Sequence, residues 1–231
     1  MSHLTRLPDE CRFPYLSPAE LLARLEQKAI LYLPIGSLEW HNEHLPLGTD
    51  TLHAIEISVR LCREIGGVAL PAFWWNTGGC HDHASTYHMP EDLYRTTLRN
   101  VIVGLKSVPA KLLVLINGHG GGHQRDSVPA VAAELTAARA LPMRVIAADP
   151  YHYGKSSSCQ IDHADTGETS LSLELIGPLV RLDRDLGADL YTGNRPFAAA
   201  PATAAGGREL WNAYLSDVKT LIAEEYRRAG A

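Results

Sequence analysis

Short apolar runs alternate with helix-length segments along this 231-residue chain, and no other feature narrows its fold so far. Ile30 to Ile35, Val68 to Trp74, Lys111 to Ile116 and Met143 to Ala148 read as strands. Continuous apolar runs of this length suit strands buried on both faces. Pro71 puts the second run at a sheet edge or a strand end, because proline has no N–H for a ladder. Helices are predicted from Ser17-Pro18-Ala19-Glu20, a capping box with proline at the first helical position, and over 50–64, 92–107, 124–139, 169–182 and 208–228. The 50–64 helix is stopped by Gly66-Gly67, and Gly177-Pro178 offers an earlier end to the 169–182 helix. Pro196 to Gly207, rich in Ala, Pro and Gly, reads as a loop before the last helix. Strands alternating with helices give right-handed βαβ units and a mainly parallel sheet. The length suits one α/β domain over residues 1–231.

Composition excludes several function classes. Hydrophobic residues make up 45% of the chain, enough for a core without a disulfide or structural metal. The net charge of −5 argues against a nucleic-acid binder, which needs a basic stripe, and against an electrostatic membrane anchor. No apolar run approaches the ~20 residues of a membrane span, and Met1 to Asp9 lacks the apolar segment of a signal peptide. Cys11, Cys62, Cys80 and Cys159 have no C-x-x-C spacing and read as isolated thiols, consistent with the cytoplasm.

The 11 histidines fall in a few clusters beside acidic residues, and the clusters follow the apolar runs. In an open parallel sheet, ligands bind beyond the carboxyl ends of the strands. Glu39 and His41 follow the first run and, two residues apart in extended chain, point the same way. Asp50 follows at the start of a helix, as a ligand or as a helix N-cap. Carboxylate, imidazole and carboxylate together suit Zn²⁺, Mn²⁺ or Fe²⁺. His44 and Glu43 read as groups orienting those ligands, or His44 as a structural histidine. The third run delivers His119 inside Asn117-Gly118-His119-Gly120-Gly121-Gly122-His123. Its glycines could cradle a phosphate, but neither G-x-x-x-x-G-K-S/T nor G-x-G-x-x-G is present. His123 reads as a first-turn helix residue. In the third cluster Glu168 closes a capping box or joins a metal site, and His163 sits where a proton-transfer group could act. Asp165 either orients His163 or caps the helix. Cys80-His81-Asp82-His83, with His88, could bind metal or only contact substrate or a neighbouring subunit. Trp74 and Trp75 read as core or interface.

Taken together, these segments resemble the creatininase (creatinine amidohydrolase) family. Its pattern is close to G-S-x-E-x-H-x-x-H-L-P-L-x-x-D, then N-G-H-G-G-N, then H-x-x-x-x-E-T-S. This chain has Gly36-Ser37, Glu39, His41, His44-Leu45-Pro46-Leu47 and Asp50; then Asn117-Gly118-His119-Gly120-Gly121; then His163 and Glu168-Thr169-Ser170. The likeness runs over about residues 17 to 185. It implies a three-layer αβα sandwich, one or two divalent ions, and a homo-oligomer such as a hexamer. Glu39, His41, Asp50 and His119 match metal-ligating positions, with the aspartate bridging when two ions bind, and His163 matches the catalytic histidine. The chain departs from the pattern at Gly121, where creatininase itself has a metal-binding Glu, and at Gly122 in place of Asn. Met89-Pro90-Glu91-Asp92 replaces the F-P-G-T segment. Glu168 is then the candidate to complete the site.

The implied activity is hydrolysis of a C–N amide bond in a small cyclic or linear amide by a metal-activated water. Relatives extend this to a deformylase of pyrimidine intermediates and a peptidase of mycofactocin maturation. Two readings from other classes are a nucleotide-binding module and a protein whose ion only staples its loops.

Overall fold

The computed structural model describes residues 9–80, 83–149, 161–184 and 202–230. Four parallel strands, β1 (Ile30–Ile35), β2 (Val68–Ala69), β3 (Leu112–Asn117) and β4 (Arg144–Ala148), form one sheet in the order β2-β1-β3-β4. Six α-helices accompany them among the described residues: α1 (Pro18–Gln27), α2 (Thr49–Ile65), α3 (Glu91–Val103), α4 (Gln124–Ala137), α5 (Thr166–Ile176) and α6 (Ala204–Ala229).

The strands are apolar throughout because both faces are covered. Side chains alternate between faces along a strand, so β1 and β3 feed two separate cores. Ile30, Tyr32, Leu112, Val114 and Ile116 pack on one face with Ala54, Ile57 and Leu61 of α2, Leu171 and Leu175 of α5, and Leu210, Tyr214 and Val218 of α6. Leu31, Leu33, Ile35, Leu113 and Leu115 pack on the other with Leu25 of α1, Leu98 and Ile102 of α3, and Val128, Val131 and Leu135 of α4. Helix layer, sheet and helix layer make the αβα sandwich.

Most expected elements are present, with shifted ends. The second strand is shorter than 68–74. Its ladder stops before Pro71, although Leu70 and Phe73 still donate to Tyr32 and Pro34 of β1 at 2.8 Å. α3 ends at Val103, and the chain continues in tight turns, with Leu105 N–H on Ile102 O. α4 ends at Ala137, and Arg139 beyond it takes a positive φ of 48°. α5 begins one turn earlier than expected because Asp165 caps it, accepting from Glu168 N–H. It ends at Gly177-Pro178, as a 3-10 turn over Gly177–Leu179.

The largest difference lies at the last helix. α6 starts at Ala204, capped by Thr203, and takes in Gly206-Gly207, which read as loop. A Cβ at Gly207 would stand 1.9 Å from the carbonyl oxygen of Ser170. The glycine therefore lets α6 press onto α5, and this backbone contact outweighs glycine's poor helix propensity. The residues 196–201 of that expected loop lie outside the described residues. α6 also reaches far back in the chain. Tyr226 Oη accepts from Ala29 N–H, Lys219 pairs with Glu64 at 2.8 Å, and Arg144 binds Glu225 at 2.6 Å.

Cys11, Cys62 and Cys80 are free and buried. Cys11 and Cys62 share one core cluster, close enough that each shifts the ionisation of the other. No helix among the described residues is long and apolar enough to cross a membrane.

Gly207→Ala should lower stability by about 1–3 kcal/mol, the usual range for overpacking. Gly177→Ala, where an added Cβ meets nothing within 4 Å, should be neutral or slightly stabilising. Urea unfolding midpoints of the two variants decide this, and equal midpoints would contradict the close packing of α6 on α5.

Candidate active site

β1 and β3 are neighbours, so the loops leaving their carboxyl ends emerge side by side. Glu39 and His41 follow β1, His119 follows β3, and Asp50 lies in the first turn of α2. Gly118 allows this convergence, because a Cβ there would lie 2.1 Å from the carbonyl oxygen of Asp50. The helix N-cap is Gly48, not Asp50. The carboxylate of Asp50 instead turns into the site, with Oδ1 3.0 Å from His41 Nε2 and Oδ2 2.7 Å from His119 Nδ1. Ser37 Oγ donates to the same Oδ2 at 2.6 Å.

Glu39 meets His119 from the other side, Oε2 to Nδ1 at 3.1 Å, and its Oε1 accepts from Cys80 N–H at 2.6 Å. His41 is fixed by Nδ1 against the carbonyl oxygen of Glu39 at 3.0 Å. Glu168 arrives from the first turn of α5, with Oε2 3.7 Å from His41 Nε2. It does not close the expected capping box. Its side chain bonds Ala164 N–H, one residue outside the Asp165 cap, and that position keeps it near His41. The half-buried His163 ring packs 4.4 Å from the His41 ring, centroid to centroid. Its neighbour Ala164 holds a positive φ of 50°, a strained conformation for a side-chain-bearing residue.

Thus Glu39, His41, Asp50, His119, His163 and Glu168 all converge on one cleft. Glu39, Asp50 and His119 each offer a ligand atom within 4.8 Å of the others, and so do His41, His163 and Glu168. Asp50 lies between the two groups, one oxygen facing each. The cleft has a volume of about 460 Å³.

Other expected residues fall outside this cluster. Glu43 is exposed and orients nothing in the site. His44 is buried and bonds Thr169 Oγ1 at 2.8 Å, which ties the first segment to α5. Asp165 caps α5, and His123 stands exposed beside Glu91. His83 stacks on Trp40 and bonds Ser85, while His88 Nδ1 accepts from Gly78 N–H. His81 and Asp82 lie outside the described residues. Trp75 is exposed and packs on Tyr87.

Sequence reasoning gave no role to Ser37, and it missed Gln124. The amide of Gln124 joins Gly36 O to Asn117 Oδ1 at 3.0 Å each, linking the two loops. No local signal marks such a residue. The sequence also gives no sign that Cys80 meets His163. Its thiol lies 3.6 Å from His163 Nε2.

Three carboxylates only 1% exposed, Glu39, Asp50 and Glu168, require positive charge beside them. In the protein without a cation, protons supply it. Burial opposes the imidazolium of His41, but Asp50, Glu168 and Glu39 outweigh it and raise its pKa to about 10. Burial likewise opposes protonation of His119, and the carboxylates of Asp50 and Glu39 beside it raise it to about 10. Burial would raise Glu39, yet His119 pulls it down to about 2, and Asp50 is held well below its usual value. His44 and His53 face no such carboxylate cluster, and burial drives both down to about 4.

A divalent cation can replace those protons. Glu39 Oε2 and His119 Nε2 are buried without a hydrogen-bond partner, and an oxygen-rich set with imidazole suits Zn²⁺, Mn²⁺ or Fe²⁺. The residues fit such an ion.

The signs give a pH prediction. The raised histidines stabilise the metal-free fold fully below about pH 6.5 and lose that contribution as pH climbs towards 10. The lowered Glu39 contributes above its ordinary 4.5 and loses this as pH falls towards 2. Chelated protein should therefore melt at lower temperature as pH rises from 7 to 10. Added Zn²⁺ should raise the melting temperature more at pH 9 than at pH 6, since ions and protons compete. Thermal unfolding with and without chelator checks both, and a larger Zn²⁺ effect at pH 6 would contradict this electrostatic account.

Comparison with known proteins meets this geometry from outside. The Creatininase family model, described as creatinine amidohydrolase, matches residues 14–222, so the match continues through most of α6, beyond the reach of the sequence motifs. A creatinine amidohydrolase of Pseudomonas putida is 26% identical over 175 residues, covering 67% of each chain. A 3-dehydro-scyllo-inosose hydrolase of Thermotoga maritima is 24% identical over 180 residues. The alignment takes in 73% of this chain but only 57% of that protein. Among solved structures, a mutant creatininase of Zn-Zn type superposes with a TM-score of 0.76 at 21% identity, covering 94% of this chain and 98% of the other. A manganese creatininase superposes with a TM-score of 0.72 at 23% identity, with the same coverage. The fold is thus a shared one, and the chain belongs to the creatininase family.

Proposed function

We propose that this protein is a metal-dependent amidohydrolase acting on a small cyclic or linear amide. The observation that carries the reading is the position of Asp50. Its two carboxylate oxygens face two buried imidazoles, and a further carboxylate flanks each side. Glu39, Asp50 and His119 would hold one divalent ion, and His41, Asp50 and Glu168 a second. The side chain absent at Gly121 is replaced, on this reading, by Glu168 from α5.

An ion held there would act as a Lewis acid, activating water and polarising a carbonyl group. The chain's own residues supply the rest. Ser37 fixes one oxygen of Asp50 through its hydroxyl, and the Glu39 carbonyl fixes the tautomer of His41. Trp40 packs beside His163, the two rings 6.1 Å apart. His163 stands at the cleft on a loop pinned at Ala164, where it can pass a proton to the departing nitrogen. That proton is needed because an amide anion is a poor leaving group. A cleft of about 460 Å³ falls within the ordinary range for small-molecule sites. An ion serving only as a staple would need a closed shell instead.

Glu39→Ala with His41→Ala should abolish metal retention, read by elemental mass spectrometry. His163→Ala should keep the metal and lose turnover by about 10²–10⁴-fold, the usual contribution of a positioned acid or base. Turnover is read on a panel of cyclic amides, formamides and short peptides, which also separates the amidase, deformylase and peptidase branches. Wild-type protein that retains no Zn²⁺, Mn²⁺ or Fe²⁺ after reconstitution would overturn the proposal.

A further inference from the structure

The Cys80 thiol lies at the same cleft and has no part in the hydrolytic proposal. Its Sγ is 3.6 Å from His163 Nε2. With Zn–S near 2.3 Å and Zn–N near 2.0 Å, the S···N edge of a tetrahedral zinc is about 3.5 Å. Glu39 is the third member, since one ligand atom each from Glu39, Cys80 and His163 falls within 4.8 Å of the other two. The backbone fixes this grouping. Cys80 N–H donates to Glu39 Oε1, and the preceding Gly79, at φ +100°, brings the loop so close that a Cβ would lie 2.5 Å from that oxygen.

Two observations separate this cluster from a simple S–H···N hydrogen bond. Glu39 is 1% exposed, and its Oε2 has no hydrogen-bond partner. The nearby His119 Nδ1 carries a single proton and lies closer to Asp50, at 2.7 Å against 3.1 Å. The donor set is also chemically distinct from the rest of the cleft. Thiolate, imidazole and carboxylate favour thiophilic ions, whereas the carboxylate-rich groups accept harder ones.

We infer that Cys80, His163 and Glu39 form a thiolate-bearing cation site that takes a thiophilic divalent ion such as Zn²⁺, Cd²⁺ or Co²⁺. The inference rests on the proposed metal centre in one respect, since Glu39 is shared with it. Binding releases the Cys80 proton to solvent and occupies the lone pair of His163 Nε2. An ion held there removes His163 from proton transfer, so thiophilic metal in excess inhibits the enzyme while excess Mn²⁺ does not.

The test needs no substrate. The full chain, stripped with chelator, is titrated with Co²⁺ and its absorption followed. Visible d–d bands report cobalt in the cleft, and a near-ultraviolet charge-transfer band reports a cobalt–thiolate bond. The wild type is expected to show both, and Cys80→Ser to lose the charge-transfer band completely while keeping the visible bands. If the serine variant misfolds by circular dichroism, Cys80→Ala replaces it. Visible bands without charge transfer in the wild type overturn the inference and leave the proposed metal centre standing. A charge-transfer band that persists without Cys80 assigns the thiolate to another cysteine and overturns it too. The absence of both bands overturns this site and the metal centre together.

Discussion

One carboxylate holds this site together. Asp50 sits in the first turn of α2, inside the protein, and is shared by two histidines from two different loops. Neither loop has regular secondary structure to fix it. Each is fixed by what it donates to Asp50: His41 and Ser37 from behind β1, His119 from behind β3. Burial makes the arrangement exacting, because an unpaired carboxylate at that depth is costly. The neighbouring strands, the close approach at Gly118 and the bridge made by Gln124 all serve to bring those partners to it.

A second set of buried contacts extends this order to α5. His44 bonds Thr169 and His53 bonds Ser172, so two α5 residues are tied to the β1 loop and to α2. Glu168 precedes Thr169 by one residue. Its placement near His41 follows from these bonds and from the Asp165 cap. The neutral histidines therefore act on the opposite principle from His41 and His119. Burial suppresses their charge, and they bond hydroxyl groups instead of carboxylates.

Much of this was legible in the residues alone. The apolar runs of β1 and β3 and the capping box of α1 carry their structure locally, through burial on both faces and side-chain-to-backbone bonds. The site residues were legible because ligand-type side chains clustered where parallel strands end. What was illegible depended on contacts distant in sequence. Asp50 could not be separated from a helix cap until its partners were seen. Gly206-Gly207 read as loop because the Ser170 carbonyl that demands a glycine lies more than thirty residues away. Cys80 read with its sequence neighbours, while its thiol faces a histidine some eighty residues downstream.

The reach of α6 bears on how the molecule is made. The helix supplies no ligand and no proton, yet it backs α5, which carries Glu168, and it contacts residues as early as Ala29. Loop closures of such span are slow. On the ribosome, the strands and their first helices emerge long before the segment that supports α5. The α5 wall of the cleft therefore gains its support only after α6 has emerged, and a nascent chain carries the parts of the site before it holds the site itself.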